Sequence, residues 1–423
     1  MDLRGSDGIV TLQPSASELA PPRDETVRRA EKLRLDWWSI SAIAPTIIIL
    51  LGFLFLFFHG VFQSLTDLKF GRPLVHFIGL KNYAALIKTS DFWNSIRATL
   101  IYAGSAVFAE AAFGLALAKL FATEVFLARV MRPVILLPLV KRSTSTSLIL
   151  NLLVGICALV LAFPLVWIVM MSLKQQADVM TWPPTFLFMP TLENFRVLFD
   201  VAQAGATSYG TIKVDFLTPI TNSVVIALGS VIVSLLVGVP AGYVLARRDI
   251  PLKEDIAFFI LGFRFAPVLL VVIPLFSVFQ TIGLYDTYIG MIWVYQVVTL
   301  PMIVWLSRSY IEDIPKDIEE AAAMDGAKPV RVVLHIVLPL LKPGVIGASS
   351  LIFLLAWHNF ALGLILSSTK APVTVALLKL LNPGVQFYPV MAAGLVVTMI
   401  IPVILIIIGQ RHLERGLTFG AVK

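Results

Sequence analysis

A short polar stretch before the seventh long apolar run contains the residue types and spacing that most clearly suggest a task for this chain. Pro315 suits the start of a helix, and the acidic residues after it favour the positive end of the helix dipole. Three consecutive alanines favour helix, and their short side chains leave a helix surface that another protein can approach closely. Gly326 suits the left-handed residue that ends many helices. A second short helix is expected from Pro329 to Pro339 and Pro343, which predicts a helix–turn–helix at the membrane surface.

Motifs for covalent or redox chemistry are missing from the sequence. There is no GxxxxGK[ST] stretch, so we predict that the chain binds no ATP and is not itself an enzyme. The sequence also lacks a His/Cys metal pattern, a nucleophile elbow and a convincing pair of carboxylates. The single cysteine, Cys157, lies in an apolar run and is interpreted as a core or lipid-facing thiol. No cofactor and no metal are expected on this chain.

The composition is that of a membrane protein. Hydrophobic residues make up 58% of the 423 residues and charged residues only 14%, whereas soluble domains carry about a quarter charged residues. The net charge of +7 does not indicate nucleic acid, because the Lys and Arg residues cluster in short loops between apolar runs. That clustering is the positive-inside pattern of membrane proteins.

Eight apolar runs are long enough to cross a bilayer, whose core takes roughly 20 residues of helix. They are 39–63, 96–121, 148–172, 219–245, 256–280, 284–307, 343–367 and 390–410. The sequence therefore predicts an all-α integral membrane protein with about eight transmembrane helices.

The basic residues set the predicted orientation. They follow the second, fourth, sixth and eighth runs and also fill the polar tail 1–38, so both termini are predicted to be cytoplasmic and the tail disordered. The loops 64–95, 173–218 and 368–389 are then external. Residues 130–140 are apolar but too short to cross, and we interpret them as an interfacial or re-entrant piece.

The chain repeats part of its own pattern. IGLKNYAALI at 78–87 resembles PTLENFRVLF at 190–199, with a leucine followed two residues later by Asn82 or Asn194. The next apolar runs also align. Both copies are predicted as a span, an external loop with a short helix, and another span.

Polar residues inside predicted spans are functional candidates, since they are costly in lipid. Arg264 precedes a predicted helix break near Pro267 and either lines a solute path or reaches a helix end or buried partner. Trp357, His358 and Asn359 interrupt the seventh run. They either contact a sugar-like solute or make hydrogen bonds between helices.

The polar stretch also resembles a known motif. Glu320, Ala321, Ala322 and Gly326, followed by Ile336, Leu338 and Pro339, resemble the EAA coupling loop of ABC importer permeases. The resemblance implies that the first helix of loop 315–340 inserts into a cleft on a separate ATP-binding subunit. The residues that it assigns to ATPase coupling are Asp317, Glu319, Glu320, Ala321, Ala322, Ala323, Asp325, Gly326, Ile336, Leu338 and Pro339.

The resemblance extends to most of the chain. Residues 148–423 resemble a complete six-span permease of the maltose-transport class, with RFAP at 264–267, GLYDTYIG at 283–290 and the ending GLTFGAVK. Residues 39–140 resemble the opening of the partner-type permease, truncated before its own coupling loop, and 141–147 is the expected junction. The first copy is an inert remnant or brace, or else an active half-pore.

This family implies a setting and partners for the chain. The setting is the bacterial inner membrane, and the transported solute is a sugar or a related polyol. The expected partners are a cytoplasmic ABC ATPase dimer that holds ATP and Mg, a second permease chain, a periplasmic solute-binding protein and membrane lipid. No nucleic acid is expected.

Two other functions remain open from the residues. An ion-coupled secondary transporter would need charged groups near the midplane, for which Glu110 and Arg264 are the candidates. A non-transporting fusion or regulatory subunit, in which the first copy blocks the path, is the second alternative.

Overall fold

The computed structural model describes residues 37–68, 76–122, 159, 162–199, 215–265, 268–382 and 385–418, and these are almost entirely helical. In chain order the helices are α1 (Trp37–Ser64), α2 (Lys81–Ile87), α3 (Ser90–Ala122), α4 (Ala162–Ser172), α5 (Gln176–Val179), α6 (Glu193–Phe199), α7 (Leu217–Arg247), α8 (Lys253–Gly262), α9 (Val268–Ile282), α10 (Tyr288–Glu312), α11 (Lys316–Met324), α12 (Pro329–Trp357), α13 (Ala361–Leu366), α14 (Val373–Lys379) and α15 (Tyr388–Thr418). A small antiparallel hairpin, β1 (Leu381–Asn382) and β2 (Val385–Gln386), precedes α15. Residues 1–36 of the predicted tail 1–38, the apolar piece 130–140 and the junction 141–147 lie outside the described residues. Trp37 and Trp38, the last two residues of that tail, belong to α1.

Five of the described helices are long and apolar enough to cross a membrane, so the predicted count of eight is not confirmed. They are Trp37–Ser64, Leu217–Arg247, Tyr288–Glu312, Pro329–Trp357 and Tyr388–Ile408. The predicted span 96–121 lies within the helix α3, and the described part of the span 148–172 includes α4.

The predicted span 256–280 corresponds to two described helices, α8 and α9, with the predicted break between them. A 3-10 turn, Phe263–Phe265, follows α8, and α9 begins only at Val268. Pro267 disfavours helix at the residue before it, so the break lies where the sequence led us to expect one. The span 343–367 is likewise interrupted after Trp357 and resumes as α13.

The sequence predicts that the second arm of the helix–turn–helix ends at Pro339 and Pro343, and this prediction is wrong. Helix continues from Pro329 to Trp357, with a π-helical turn at Val333–Val337. A proline ring normally clashes with the carbonyl four residues earlier. The wider π turn lies just before Pro339 and makes room for that ring, while burial of Val333 and Val337 stabilises the turn.

The bundle is centred on α7 and α10, which pack closely along their length. Leu300 and Ile303 of α10 are fully buried, and glycines on α7 allow the close approach. A Cβ atom at Gly242 would overlap the hydroxyl of Ser307 and lie 3.0 Å from the backbone of Arg308. Side-chain volume at this position therefore fixes the spacing of the two helices.

A buried polar cluster also joins α7 to α10. The hydroxyl of Ser234 donates to Oε1 of Gln296 at 2.8 Å and lies 2.8 Å from the hydroxyl of Thr299. The Gln296 amide donates to the carbonyl of Ser230 at 3.3 Å. All four residues are buried and hydrogen-bonded, as buried polar groups must be.

The helix α1 packs along this bundle, although it lies in the region predicted to be a truncated first copy. The Phe53 and Trp293 rings lie 4.4 Å apart, and Thr46 donates to the carbonyl of Val237 at 3.3 Å. Near the other end of α1, Gln63 donates to Ser277 of α9 at 3.2 Å. The described side chains of α3, by contrast, are mostly exposed.

The two predicted copies share a specific hydrogen-bond pattern. The Asn82 amide donates to the carbonyls of Ser64 and Thr66 at 2.9 and 2.8 Å. The Asn194 amide donates to the carbonyls of Ser172 and Lys174, both at 2.8 Å. Each asparagine lies in a short helix, α2 or α6, as the repeat predicted, and joins that helix to the end of α1 or α4, respectively.

At the end of α10 remote from Glu312, an acidic side chain holds two loops together. The Asp286 carboxylate accepts the backbone N–H groups of Ser368 and Lys370, each at 2.8 Å, and that of Thr369 at 3.0 Å. Burial alone would raise the pKa of Asp286. The hydrogen bonds from the Thr369 hydroxyl and these three backbone groups outweigh burial and lower that pKa below its ordinary value.

Candidate functional site: the loop between α10 and α12

The helix α11 forms where the sequence predicted the first arm of the polar stretch. Pro315 is its N-cap, and Asp317 and Glu319 lie in its first turn. Gly326 has φ +81°, which confirms the predicted left-handed stop. The N–H of Ala327 bonds to the carbonyl of Ala322 and that of Gly326 to the carbonyl of Ala323, both at 3.0 Å, which is a Schellman ending.

The inner side of α11 is fixed to the end of α7 by one carboxylate. Glu319 accepts from Nε of Arg247 at 2.6 Å and from the Tyr243 hydroxyl at 2.8 Å. A second guanidinium nitrogen of Arg247 donates to the carbonyl of Ile314 at 2.6 Å. The Arg247 and Glu319 side chains are only 7% and 11% exposed, so this is a largely desolvated ion pair.

The outer side of α11 is free for a partner. Glu320, Ala321 and Asp325 are exposed, and Met324 is 89% exposed. Ile318 adds a half-exposed apolar side chain. We call these five residues the outer face of α11. Glu319 and Glu320 are adjacent in sequence, but Glu319 is largely buried against α7 whereas Glu320 is exposed.

A cavity lies beneath this helix, between α7 and the loop. Its volume is about 300 Å³, and its lining includes Tyr243, Arg247, Arg248, Lys316, Glu319 and Glu320. Both signs of charge line it, so it does not select an anion or a cation.

A second ion-pair group holds the end of α10, which leads into the loop. Arg308 donates to Glu254 at 2.6 Å and to Glu312 at 2.8 Å. The Arg308 hydrogen bond lowers the pKa of Glu254. The approach to α11 is thus tied to α8 as well as to α7.

A family model described as "Binding-protein-dependent transport system inner membrane component" matches residues 238–419. This range includes the loop, both ion-pair groups and the last part of α7. A relative that is 32% identical over 290 residues aligns with 67% of this chain and 98% of its own length. The chain belongs to this permease family. It is a multi-pass membrane protein, and neither an ion-coupled transporter nor a regulatory subunit is favoured.

The relative just mentioned is the trehalose transport system permease protein SugB of Mycobacterium tuberculosis. The sulfoquinovosyl glycerol transport system permease protein SmoH of Agrobacterium fabrum is 32% identical over 270 residues, covering 62% of this chain and 88% of that one. A solved structure of a bacterial ABC transporter involved in the import of alginate is 24% identical and covers 63% of this chain and 96% of its own. The TM-score between the two chains is 0.49.

The predicted solute-path residues of this permease fall in two separate places. Arg264 is exposed in the 3-10 turn, with Nη1 3.6 Å from the Met302 sulfur. Trp357 is only 2% exposed and stacks on Phe353, with ring centroids 5.6 Å apart. In the part of the chain that the structure describes, no hydrogen bond or ring contact joins Arg264 to Trp357.

The two residues after Trp357 differ in exposure. His358 is exposed, and its Nδ1 lies 2.8 Å from the carbonyl of Leu354. The Asn359 side chain accepts the N–H of Leu362 at 3.2 Å, which caps the start of α13. A structural role thus accounts for Asn359, and His358 is the more open of the pair.

Sequence reasoning missed the partners of the coupling loop. Arg247 and Arg248 were interpreted only as positive-inside charges, and Tyr243 was not singled out. A tyrosine four residues before an arginine at the end of a long apolar run was the available signal, because that spacing places both on one helix face.

Proposed function

We propose that this permease is the membrane subunit of an ATP-driven importer for a sugar or a related polyol. Support for the solute class comes from the relatives' names, which include trehalose, trehalose/maltose and arabinooligosaccharide transport systems. The chain moves its solute and leaves the chemistry to a separate cytoplasmic ABC ATPase dimer, which holds ATP and Mg.

One observation supports α11 as the site where that ATPase docks. The helix is fixed on its inner side by Glu319, Arg247 and Tyr243, while its outer face, including Glu320 and Met324, is exposed. A rigidly held helix with a free surface transmits a push from its partner. The residues predicted for coupling divide accordingly: Glu320, Ala321 and Asp325 contact the ATPase, and Glu319 acts inward.

The second arm of the loop divides in the same way. Leu338 and Pro339 are exposed in α12, whereas Ile336 is half-buried against the apolar cluster at the base of the loop. We assign Leu338 and Pro339 to the contact surface and Ile336 to its support.

The other partners follow from the family and from the sequence of this chain, in which one stretch, 315–340, resembles the coupling loop. An importer of this kind presents two loops to two ATPase subunits, so a second permease chain, either a copy of this one or a different one, completes the pore. A periplasmic solute-binding protein delivers the solute. We infer that the chain lies in the bacterial inner membrane with both termini on the cytoplasmic side, which the distribution of basic loops supports.

For the solute path we propose Arg264 and His358. Both are exposed on this chain, and both lie where an apolar helix is interrupted and backbone groups become available to a polar solute. Trp357 supports the path from within the bundle rather than by contact.

The docking proposal is tested by charge reversal at Glu320. Glu320→Lys places a cation on the outer face, and Gly326→Pro forces a negative φ where +81° is needed. Both variants are expected to insert into membranes normally and to lose most of the ATPase that co-purifies with the tagged permease. Asp313→Lys, an equal charge change at an exposed residue just before α11, is the matched control and should retain the ATPase. Full ATPase recovery with Glu320→Lys contradicts the proposal.

A further inference from the structure

A tryptophan from outside the permease region 148–423 lies against the support of α11. The Trp38 ring, in the second residue of α1, meets the Tyr243 ring edge-on, with centroids 5.4 Å apart and planes at 85°. The guanidinium of Arg248 lies 5.9 Å from the centre of the Trp38 ring. Edge-to-face aromatic pairs and cation–π contacts are both attractive, so Trp38 stabilises this arrangement of Tyr243 and Arg248.

Tyr243 therefore has a partner on each side. Its ring is held by Trp38, and its hydroxyl donates to Oε2 of Glu319 at 2.8 Å. Tyr243 is 5% exposed, so packed neighbours rather than solvent surround most of the side chain. The orientation of the hydroxyl toward α11 depends on what packs against the ring.

Trp38 also packs against the apolar cluster at the base of the loop. That cluster joins Tyr243 and Ala246 of α7 to Ile311 of α10 and to the first turns of α12. The ring is thus placed where the three elements that carry α11 converge.

The helix that carries Trp38 is itself anchored. Its contacts with α7, α10 and α9, described above, extend from Thr46 to Gln63. Movement of Trp38 away from Tyr243 would have to disturb these contacts as well. The helix α1 is therefore a rigid support rather than a loose appendage.

We propose that Trp38 is a positioning residue for the coupling loop. It holds Tyr243 in the orientation that donates to Glu319, and through Glu319 it sets the position of α11. The first copy is then neither an inert remnant nor a half-pore, because its first helix completes the support of the second copy's coupling loop. The effect on ATPase binding rests on the proposed function, but the positioning of α11 does not.

The experiment compares Trp38→Ala with Trp37→Ala in the full-length permease. Trp37 is the matched control, because it is adjacent on α1 and 86% exposed. Amide hydrogen exchange over residues 316–328 is expected to be several-fold faster with Trp38→Ala and unchanged with Trp37→Ala. Exchange over α10, residues 288–304, should not change in either. Trp38→Phe keeps an aromatic edge for Tyr243 and is expected to restore most of the protection.

A second variant tests whether Trp38 acts through the Tyr243 hydroxyl, and not only through the volume of its own ring. Tyr243→Phe removes only the hydroxyl that reaches Glu319, so it should also speed exchange over 316–328. If Trp38 acts through that hydroxyl, Trp38→Ala combined with Tyr243→Phe should add little to either change alone. Additive effects contradict the relay. If Trp38→Ala unfolds the whole chain, Trp38→Phe and Tyr243→Phe still give the decisive comparison.

The ATPase readout separates this inference from the proposed function. Unchanged exchange over 316–328 in Trp38→Ala overturns the positioning role, whatever the ATPase does. Faster exchange with undiminished ATPase co-purification leaves the positioning role standing and contradicts the docking site.

Discussion

Arg247 donates from Nε to Oε1 of Glu319 over 2.6 Å, and the two charges are almost entirely removed from solvent. Taking two charges out of water is costly, and their attraction offsets that cost only with good geometry and further hydrogen bonds. Here the Tyr243 hydroxyl and the Ile314 carbonyl supply those bonds. The pair is therefore sensitive to loss of one member and tolerant of joint replacement.

Glu319→Ala is expected to destabilise the permease by about 3–5 kcal/mol, because it leaves Arg247 buried and unpaired. Replacing both charges at once, with Arg247→Met and Glu319→Leu, should recover most of that loss. Denaturant unfolding of the purified chain in detergent measures the difference. Glu320→Ala, one residue along on the exposed side, is the control and should change little. A double variant as unstable as the single one would be evidence against this view.

The contact between α7 and α10 gives a second prediction, which depends only on the side-chain volume at Gly242. Gly242→Ala is expected to destabilise the chain by about 1–3 kcal/mol, because the new methyl group meets Ser307 and the backbone of α10. Gly262→Ala in α8 is the matched control, since a Cβ there has no neighbour within 4 Å. Thermal melting in detergent measures both. Equal melting temperatures for the two variants would show that α7 and α10 move apart at little cost.

Acid should loosen the loops held by Asp286. Because its folded pKa is below the ordinary 3.8, the carboxylate contributes stability that is fully present above about pH 4. That contribution is lost as the pH falls through the folded pKa. The melting temperature of wild type should therefore exceed that of Asp286→Asn by a constant margin from pH 7 to about 5, and the margin should shrink below about 4.

Thr369→Val is the control for this effect. It removes one hydroxyl that donates to Asp286 at 2.6 Å but keeps the charge and the three backbone donors. It should lower the melting temperature while leaving the acid dependence in place. A margin for Asp286→Asn that grows in acid would mean that the carboxylate is destabilising in the folded state.

Local sequence signals predicted the elements whose structure is decided by neighbouring residues. The acidic first turn and Gly326 specify α11 within a dozen residues, and the structure has that helix with that stop. The repeat around Asn82 and Asn194 was also readable, since each asparagine bonds to backbone less than 25 residues away.

Long-range packing decided what the sequence did not show. The partner of Arg247 lies 72 residues further along the chain, and no local pattern identifies Glu319 as that partner. The continuity of α12 through Pro339 depends on a π turn whose valines are buried by other elements. Local rules predicted a stop there, because they count the lost N–H of proline and not the burial that compensates for it.

Because α12 continues through Pro339, the segment from Pro329 to Trp357 is one continuous helical segment. At about 1.5 Å per residue, its 29 residues extend roughly 43 Å, more than the thickness of a bilayer core. One continuous helical segment thus connects the second arm of the loop, at Pro329, to the buried indole of Trp357 at its opposite end.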